Sequence, residues 1–374
     1  RPQRFFDTVL WTGNGGTSQT VTGLEFKPDF VWIKGRSATA WHRLQNSVTG
    51  ANKLLYSNAN NAEATNEANG YVSSFTDDGF VLADPDGNGG GVNSSGDNFV
   101  AWCWKAGGDS NTFNVDGVGY ATAAAAGLNG GTANPTGASV NTKAGFSIIS
   151  YTATNNQNVS YSHGLNQAPE IIITKDRDNS RNWGVYYNIL GTNTNWLVFN
   201  GTDAQGSNNS GITPVGGFSG SYMTLHQDYF APSYNAYANA GNDGNDKLIS
   251  YMWHSVPGYS KMGSYKGNGN ANGPFVDCGF RPSLVIYKRI TNADDWGMHD
   301  SARDPYNPVK RFLYPNLNNA EWSAGTQDYF EFYSNGFKLT QSSGMTNTDG
   351  DSYIFMAWAE QPEVTPFGSQ SNAR

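Results

Sequence analysis

One pattern, stated three times, constrains this chain more than any other feature. It reads Phe26-Lys27-Pro28-Asp29-Phe30-Val31-Trp32-Ile33-Lys34, then Ala168-Pro169-Glu170-Ile171-Ile172-Ile173-Thr174-Lys175, then Phe280-Arg281-Pro282-Ser283-Leu284-Val285-Ile286-Tyr287-Lys288. In each, a proline precedes an apolar run that closes on a lysine. A tryptophan follows at a near-constant distance: Trp41, Trp183 and Trp296. A second apolar run then ends on Trp104, Trp253 or Trp358, which lie 70, 78 and 70 residues after Lys34, Lys175 and Lys288. Three landmarks recurring in register imply three copies of one unit.

A unit of about 100 residues can bury its own core, unlike the short repeats of a solenoid. The expected organisation is therefore three tandem domains: 1–106, 145–258 (the divergent copy) and 259–362, followed by a C-terminal tail, 363–374. The stretch 107–144 holds Ala121-Thr122-Ala123-Ala124-Ala125-Ala126-Gly127 and Gly130-Gly131, with few large apolar residues, and reads as a linker or surface arm. The join at Pro257-Gly258-Tyr259 is short, so the second and third units are expected to lie close together.

Only 14% of residues are charged, against about 25% in ordinary soluble domains, while 45 of 374 are glycine. Short β-branched and aromatic runs, punctuated by Gly, Asn, Asp and Pro, are strand and turn signals, and no segment sustains a helical period. The predicted class is all-β, with three tandem β-sandwiches of jelly-roll type. In the closing strand Val100, Trp102 and Trp104 share one face, yet Phe99, Ala101 and Cys103 on the other are also apolar. Such a strand must be covered on both sides.

The net charge of −8 carries no basic patch, which argues against nucleic acid as a partner. No apolar run approaches the roughly 20 residues of a membrane helix, so membrane insertion is not expected. The chain begins at Arg1 rather than methionine, as expected of a processed product or the ordered part of a longer protein. Cys103 and Cys278 occupy non-equivalent positions and read as small buried hydrophobes rather than a disulfide.

The repeat offers an internal test for chemistry. Glu63 and Glu321 follow equivalent strand-like runs, but the second copy has Gln205 there. A general acid or base does not survive that change, so a structural role is expected and no catalytic residue is assigned. The five histidines show no metal-binding spacing. The turns Gly13-Asn14-Gly15-Gly16 and Gly267-Asn268-Gly269 read as hairpins. Asp84, Asp86, Asn88 and Asp97 fit the first part of a calcium loop, but Ser95 stands where the bidentate glutamate belongs. Turn chemistry alone accounts for these residues; Ca²⁺ is the one cofactor the sequence leaves open. The repeated tryptophans are better explained as core anchors than as sugar-stacking platforms. Copy-specific tyrosines make better ligand candidates: Tyr222, Tyr229, Tyr234 and Tyr237 crowd one segment of the second unit.

These motifs together resemble a repeat domain of tailed-bacteriophage virion proteins, of marine or cyanophage type, described as tail fibre or structural protein. The resemblance is carried by Thr8 to Gly15, Phe26 to Lys34, Tyr259 to Gly269, Gly279-Phe280-Arg281-Pro282, Asp295-Trp296, Ser334 to Leu339 and Ser371-Asn372-Ala373-Arg374. It covers nearly the whole chain apart from the Ala/Gly insert, and the second copy departs from it most. It implies a non-enzymatic virion surface component, assembled in the host cytoplasm, as tail fibre, tail tip or head decoration. Its expected partners are other virion proteins, further copies of itself (a trimer by expectation) and host surface glycans. Two rivals stand beside it: a purely structural assembly component, and a tailspike-like polysaccharide-degrading enzyme whose candidate acids are Glu321 with Asp328 or Glu331.

Overall fold

A computed structural model describes residues 1–87, 91–154, 159–190, 195–206, 223–232, 245–323, 330–342, 344–360, 363–364 and 370–371. The described residues are nearly all strand, turn and loop, with one short α-helix at Gly344–Asn347, as the β-branched and aromatic runs led one to expect. Its first part forms β1 (Phe6–Thr12), β2 (Ser18–Thr22), β3 (Phe30–Gly35), β4 (Arg43–Asn46), β5 (Gly50–Leu55), β6 (Ala64–Thr65), β7 (Tyr71–Thr76), β8 (Gly79–Ala83) and β9 (Asn98–Trp104). The middle forms β10 (Phe113–Val115), β11 (Val118–Tyr120), β12 (Gly137–Asn141), β13 (Phe146–Thr152), β14 (Tyr161–Ser162), β15 (Ile171–Asp176), β16 (Gly184–Tyr187), β17 (Asn195–Val198), β18 (Met223–Leu225), β19 (Tyr229–Pro232) and β20 (Lys247–Trp253). The last part forms β21 (Ser260–Lys266), β22 (Phe275–Asp277), β23 (Pro282–Arg289), β24 (Trp296–Asp300), β25 (Arg311–Leu313), β26 (Trp322–Ser323), β27 (Phe330–Tyr333), β28 (Gly336–Leu339) and β29 (Ser352–Ala359).

Three large sheets result. The first has the order β1-β9-β3-β4-β5-β6 and the third the matching order β21-β29-β23-β24-β25-β26; the second contains the equivalent run β13-β20-β15-β16-β17. Each is accompanied by a three-stranded sheet: β2-β8-β7, β14-β19-β18 and β22-β28-β27. The central strand of each large sheet is the second apolar run of the sequence pattern, flanked antiparallel by the Pro-to-Lys run.

Both faces of those central strands are covered, for different reasons. On the outer side, Val31, Ile33, Ala101 and Cys103 pack against Val21, Val72, Phe80 and Leu82 of the small sheet. The second and third units build equivalent outer cores around Met252 with Phe230, and around Ala357 with Phe337. The inner faces of all three large sheets meet in one cluster that joins Phe30, Trp102 and Trp104 to Ile171, Tyr251 and Trp253 and to Leu284, Met356 and Trp358. The units thus do not stand as separate beads. They pack their sheets around a common interior, where burial of many aromatic side chains stabilises the assembled sheets.

The Ala/Gly-rich stretch 107–144 departs from the linker expectation. It forms β10, β11 and β12, which extend the second large sheet along β13. Its small residues suffice because the strands lean on an existing core: Ala123, Leu128, Ala138 and Val140 are buried there with Ile149 and Tyr151. The Gly-Asn-Gly turns are fixed by backbone proximity. A Cβ on Gly13 would lie 2.1 Å from the Ser94 carbonyl, and one on Gly267 would lie 2.1 Å from that of Thr348. Both cysteines are free and buried.

Candidate functional site

At the centre of the shared core, Trp104, Trp253 and Trp358 close a triangle. Their ring centroids lie 6.2 Å (Trp104–Trp253), 5.2 Å (Trp104–Trp358) and 5.9 Å (Trp253–Trp358) apart, with interplanar angles of 62°, 73° and 73°. Edge-to-face geometry sets the electropositive edge of one indole against the π face of another. The Nε1 atoms of all three are buried without a conventional hydrogen-bond acceptor, which fits indoles that interact through ring faces.

Around this centre, one set of contacts recurs at three seams between the sheets. The Glu63 backbone N–H donates to the Arg177 carbonyl, the Gln205 N–H to Ile290, and the Glu321 N–H to Arg36, each at 2.8 Å. The first seam joins units one and two, the second joins two and three, and the third joins three and one. Three heterologous contacts therefore close a ring within a single chain.

The side chains at these positions change together. Arg177 grips Glu63 through two bonds of 2.7 and 2.8 Å, and Arg36 grips Glu321 through two of 2.8 and 3.0 Å. Where glutamate becomes Gln205, the facing arginine becomes Ile290, and Gln205 turns to Tyr187 Oη at 2.6 Å and Asn195 Oδ1 at 2.7 Å. A buried carboxylate needs its cation; removing both keeps the seam satisfied.

A third element of each seam is an aromatic or imidazole donor. Trp183 Nε1 donates to the Tyr56 carbonyl at 2.8 Å and Trp296 Nε1 to Val198 at 3.0 Å. In the first unit the same role falls to His42, not Trp41. His42 N bonds Asn58 Oδ1, as Trp183 N bonds Asn200 Oδ1 and Trp296 N bonds Asn316 Oδ1. The ring Nε2 of His42 lies 2.9 Å from the Tyr314 carbonyl, while Nδ1 accepts from Trp32 Nε1 at 2.8 Å, so Nε2 carries the proton. Burial, with Lys34 nearby, drives the His42 pKa well below that of free imidazole. Trp41 is 39% exposed and packs edge-on to Tyr56. The expectation that Trp41 is a core anchor equivalent to Trp183 and Trp296 is thus corrected; sequence matching paired tryptophan with tryptophan one residue away from the true equivalent.

The pattern lysines are buried beside these seams. Their Nζ atoms donate to the carbonyls of Gly35 (2.7 Å), Asp176 (2.5 Å) and Arg289 (2.5 Å). Burial pushes Lys34 down to about 7, and Lys175 and Lys288 down to about 8.

Across the third seam Trp102 Nε1 donates to Asp300 Oδ2 at 3.1 Å, and the fully buried Arg303 bridges Asp300 to Glu321. Burial alone would raise the Glu321 carboxyl, but Arg36 and Arg303 hold it below the usual carboxylate range. A carboxylate so held is a poor general acid. Glu331 is hydrogen-bonded by the Tyr333 hydroxyl, and Asp328 lies outside the described residues.

Of the residues proposed from sequence for ligand and metal binding, the described ones are Tyr229, Asp84, Asp86 and Asp97. Tyr229 lies half-buried in β19, stacked on His226 at 4.3 Å and 14°; Tyr222, Tyr234 and Tyr237 lie outside the described residues. Asp84 is buried within electrostatic reach of the Arg43 guanidinium, Asp86 is exposed, Asp97 is half-buried, and Asn88 lies outside the described residues. Among the described residues no group of three or more His, Cys, Asp or Glu is placed to hold a metal ion.

A family described as a domain of unknown function, DUF7483, matches residues 1–362. The chain belongs to this family. The matched span includes all three large sheets. No curated protein matches the chain. Sequence reasoning noticed the loss of glutamate at Gln205 but missed its partner. The signal was present two residues after each pattern lysine, in Arg36, Arg177 and Ile290.

Proposed function

We propose that this chain is a non-enzymatic structural protein of a tailed-bacteriophage virion, exposed on the particle and contacting host surface glycans. In this reading each large sheet with its small companion is one jelly-roll-like β-sandwich copy of a tandem repeat. The observation that supports it best is the ring of seams, in which the equivalent carboxylates Glu63 and Glu321 are each held by an arginine across a sheet junction. The chain as a whole is weakly charged, with 14% Asp, Glu, Lys and Arg, which suits repeated weak contacts on a particle. Copies of the chain associate with one another in the particle, a trimer being the expected assembly, and each chain is itself a closed ring of three sheets.

Two experiments test the reading. Mass spectrometry of purified phage particles should find the chain in the virion; finding it only in the lysate soluble fraction would overturn a structural role. Binding of the purified chain to an array of host-type glycans, with and without calcium, should give a defined sugar. Silence across that array would leave the purely structural alternative. The enzymatic alternative has the weakest support, since Glu321 is locked between two arginines; release of reducing sugar from a host polysaccharide would revive it.

A further inference from the structure

The small outer sheets of the first and third units share a register but not a chemistry. In the first, Thr20 pairs with Val81 and Val81 with Ser74, while Thr22 pairs with Gly79 and Gly79 with Thr76. In the third, Phe275 pairs with Lys338 and Lys338 with Glu331, while Asp277 pairs with Gly336 and Gly336 with Tyr333. Alternation along the strands puts these residues on the face away from the core, since the intervening Val276, Phe332 and Phe337 are buried.

The first unit shows that the sheet forms with threonines at both aromatic positions, so folding does not demand rings there. Yet Phe275 is 45% and Tyr333 39% exposed, and their rings meet edge to face at 6.0 Å. Gly336 lies beneath them: a Cβ there would come within 3.0 Å of the Phe275 ring. Backbone proximity requires this glycine first, since a Cβ would lie 2.1 Å from the Val276 carbonyl, as one on Gly79 of the first unit would lie 1.9 Å from that of Val21; the space it leaves is where the phenyl ring reaches toward Tyr333. Beside the rings stand Glu331, which accepts from the Tyr333 hydroxyl, and Lys338, whose Nζ is anchored on Asn272 Oδ1 at 2.6 Å.

We propose that this face of the third unit is a binding site for a neutral pyranose of a glycan chain. Ring C–H groups of a sugar pack on the aromatic faces, while the carboxylates of Asp277 and Glu331 accept its hydroxyl protons and Lys338 donates. Exposed charges flanking the rings disfavour an apolar protein surface, which would leave them unpaired. Two carboxylates against one ammonium also disfavour acidic polysaccharide. The inference rests on the host-glycan reading above and names its site.

The test is titration of the full chain with neutral hexose and N-acetylhexosamine hexasaccharides, with alginate as polyanionic control. The Phe275→Thr, Tyr333→Thr variant, which copies the first unit, should lose at least tenfold in affinity. Its melting temperature should stay within about 2 °C of the parent, since both side chains are surface residues. A Phe275→Trp, Tyr333→Trp variant should keep binding. Equal affinity in the threonine variant would overturn this site while leaving glycan contact elsewhere intact. No binding of any neutral hexasaccharide by the parent, or tighter binding of alginate, would overturn the site outright; presence of the chain in particles is scored separately.

Discussion

Two of the three seams are held by bidentate arginine–glutamate pairs, and the seam between units two and three is held by none. Glu63 with Arg177 and Glu321 with Arg36 are about nine-tenths buried ion pairs, while Gln205 and Ile290 meet through a backbone bond of 2.8 Å. The same backbone contact survives all three environments, so the ion pair is not what makes the ring close. Closure comes from the shared aromatic interior and the backbone bonds. The charged pairs add directional specificity, telling each edge which neighbour to accept, at the cost of desolvating two charges. The second seam needs that less, because the short join at residues 257–259 already delivers unit three beside unit two.

The largest effect should come from what the seams share. Trp104→Ala removes one side of the central triangle and leaves a cavity, and should cost about 3–5 kcal/mol, read by urea unfolding. Next is the ionic seam. Arg177→Ile alone leaves the buried Glu63 with only the part-exposed Lys53 at 3.9 Å and should cost about 3 kcal/mol, whereas Arg177→Ile with Glu63→Gln copies the second seam and should recover most of that loss. A double mutant as unstable as the single one would break the comparison. A smaller effect is expected from pH. Lys34, Lys175 and Lys288 have folded pKa values near 7 to 8 against 10.5 for the free side chain. In that window the unfolded chain binds more protons, so stability should rise from pH 7 to pH 9, as monitored by melting temperature. Falling stability over that range would mean the lysines are solvated. The smallest effect is expected from EDTA: the Asp84–Asp97 loop is not required to hold calcium for the seams to close, and the melting temperature should not move.

Much of this was legible in the sequence. The central strands are apolar on both faces, and each is indeed covered twice, with Trp102 and Trp104 turned inward and Ala101 and Cys103 outward. What covers the inner face was not legible, because it is the neighbouring unit, and a repeat pattern read one copy at a time predicts beads rather than a ring. The seam residues escaped for the same reason. Arg177 and Glu63 are 114 positions apart in different copies, and only their joint change to Ile290 and Gln205 betrays the contact. His42 was hidden by an adjacent tryptophan that matched the pattern by type, though the backbone places it outside. Residues 107–144 were misjudged because small side chains cannot make a core, but they can complete one.

The central claim is that the three sheets form one cooperative body around a common interior. Scanning calorimetry of the full chain tests it most directly. A single transition, with calorimetric and van't Hoff enthalpies in agreement, is the predicted result. Three separable transitions, each with the enthalpy expected of about 100 residues, would contradict it and restore independent domains in series.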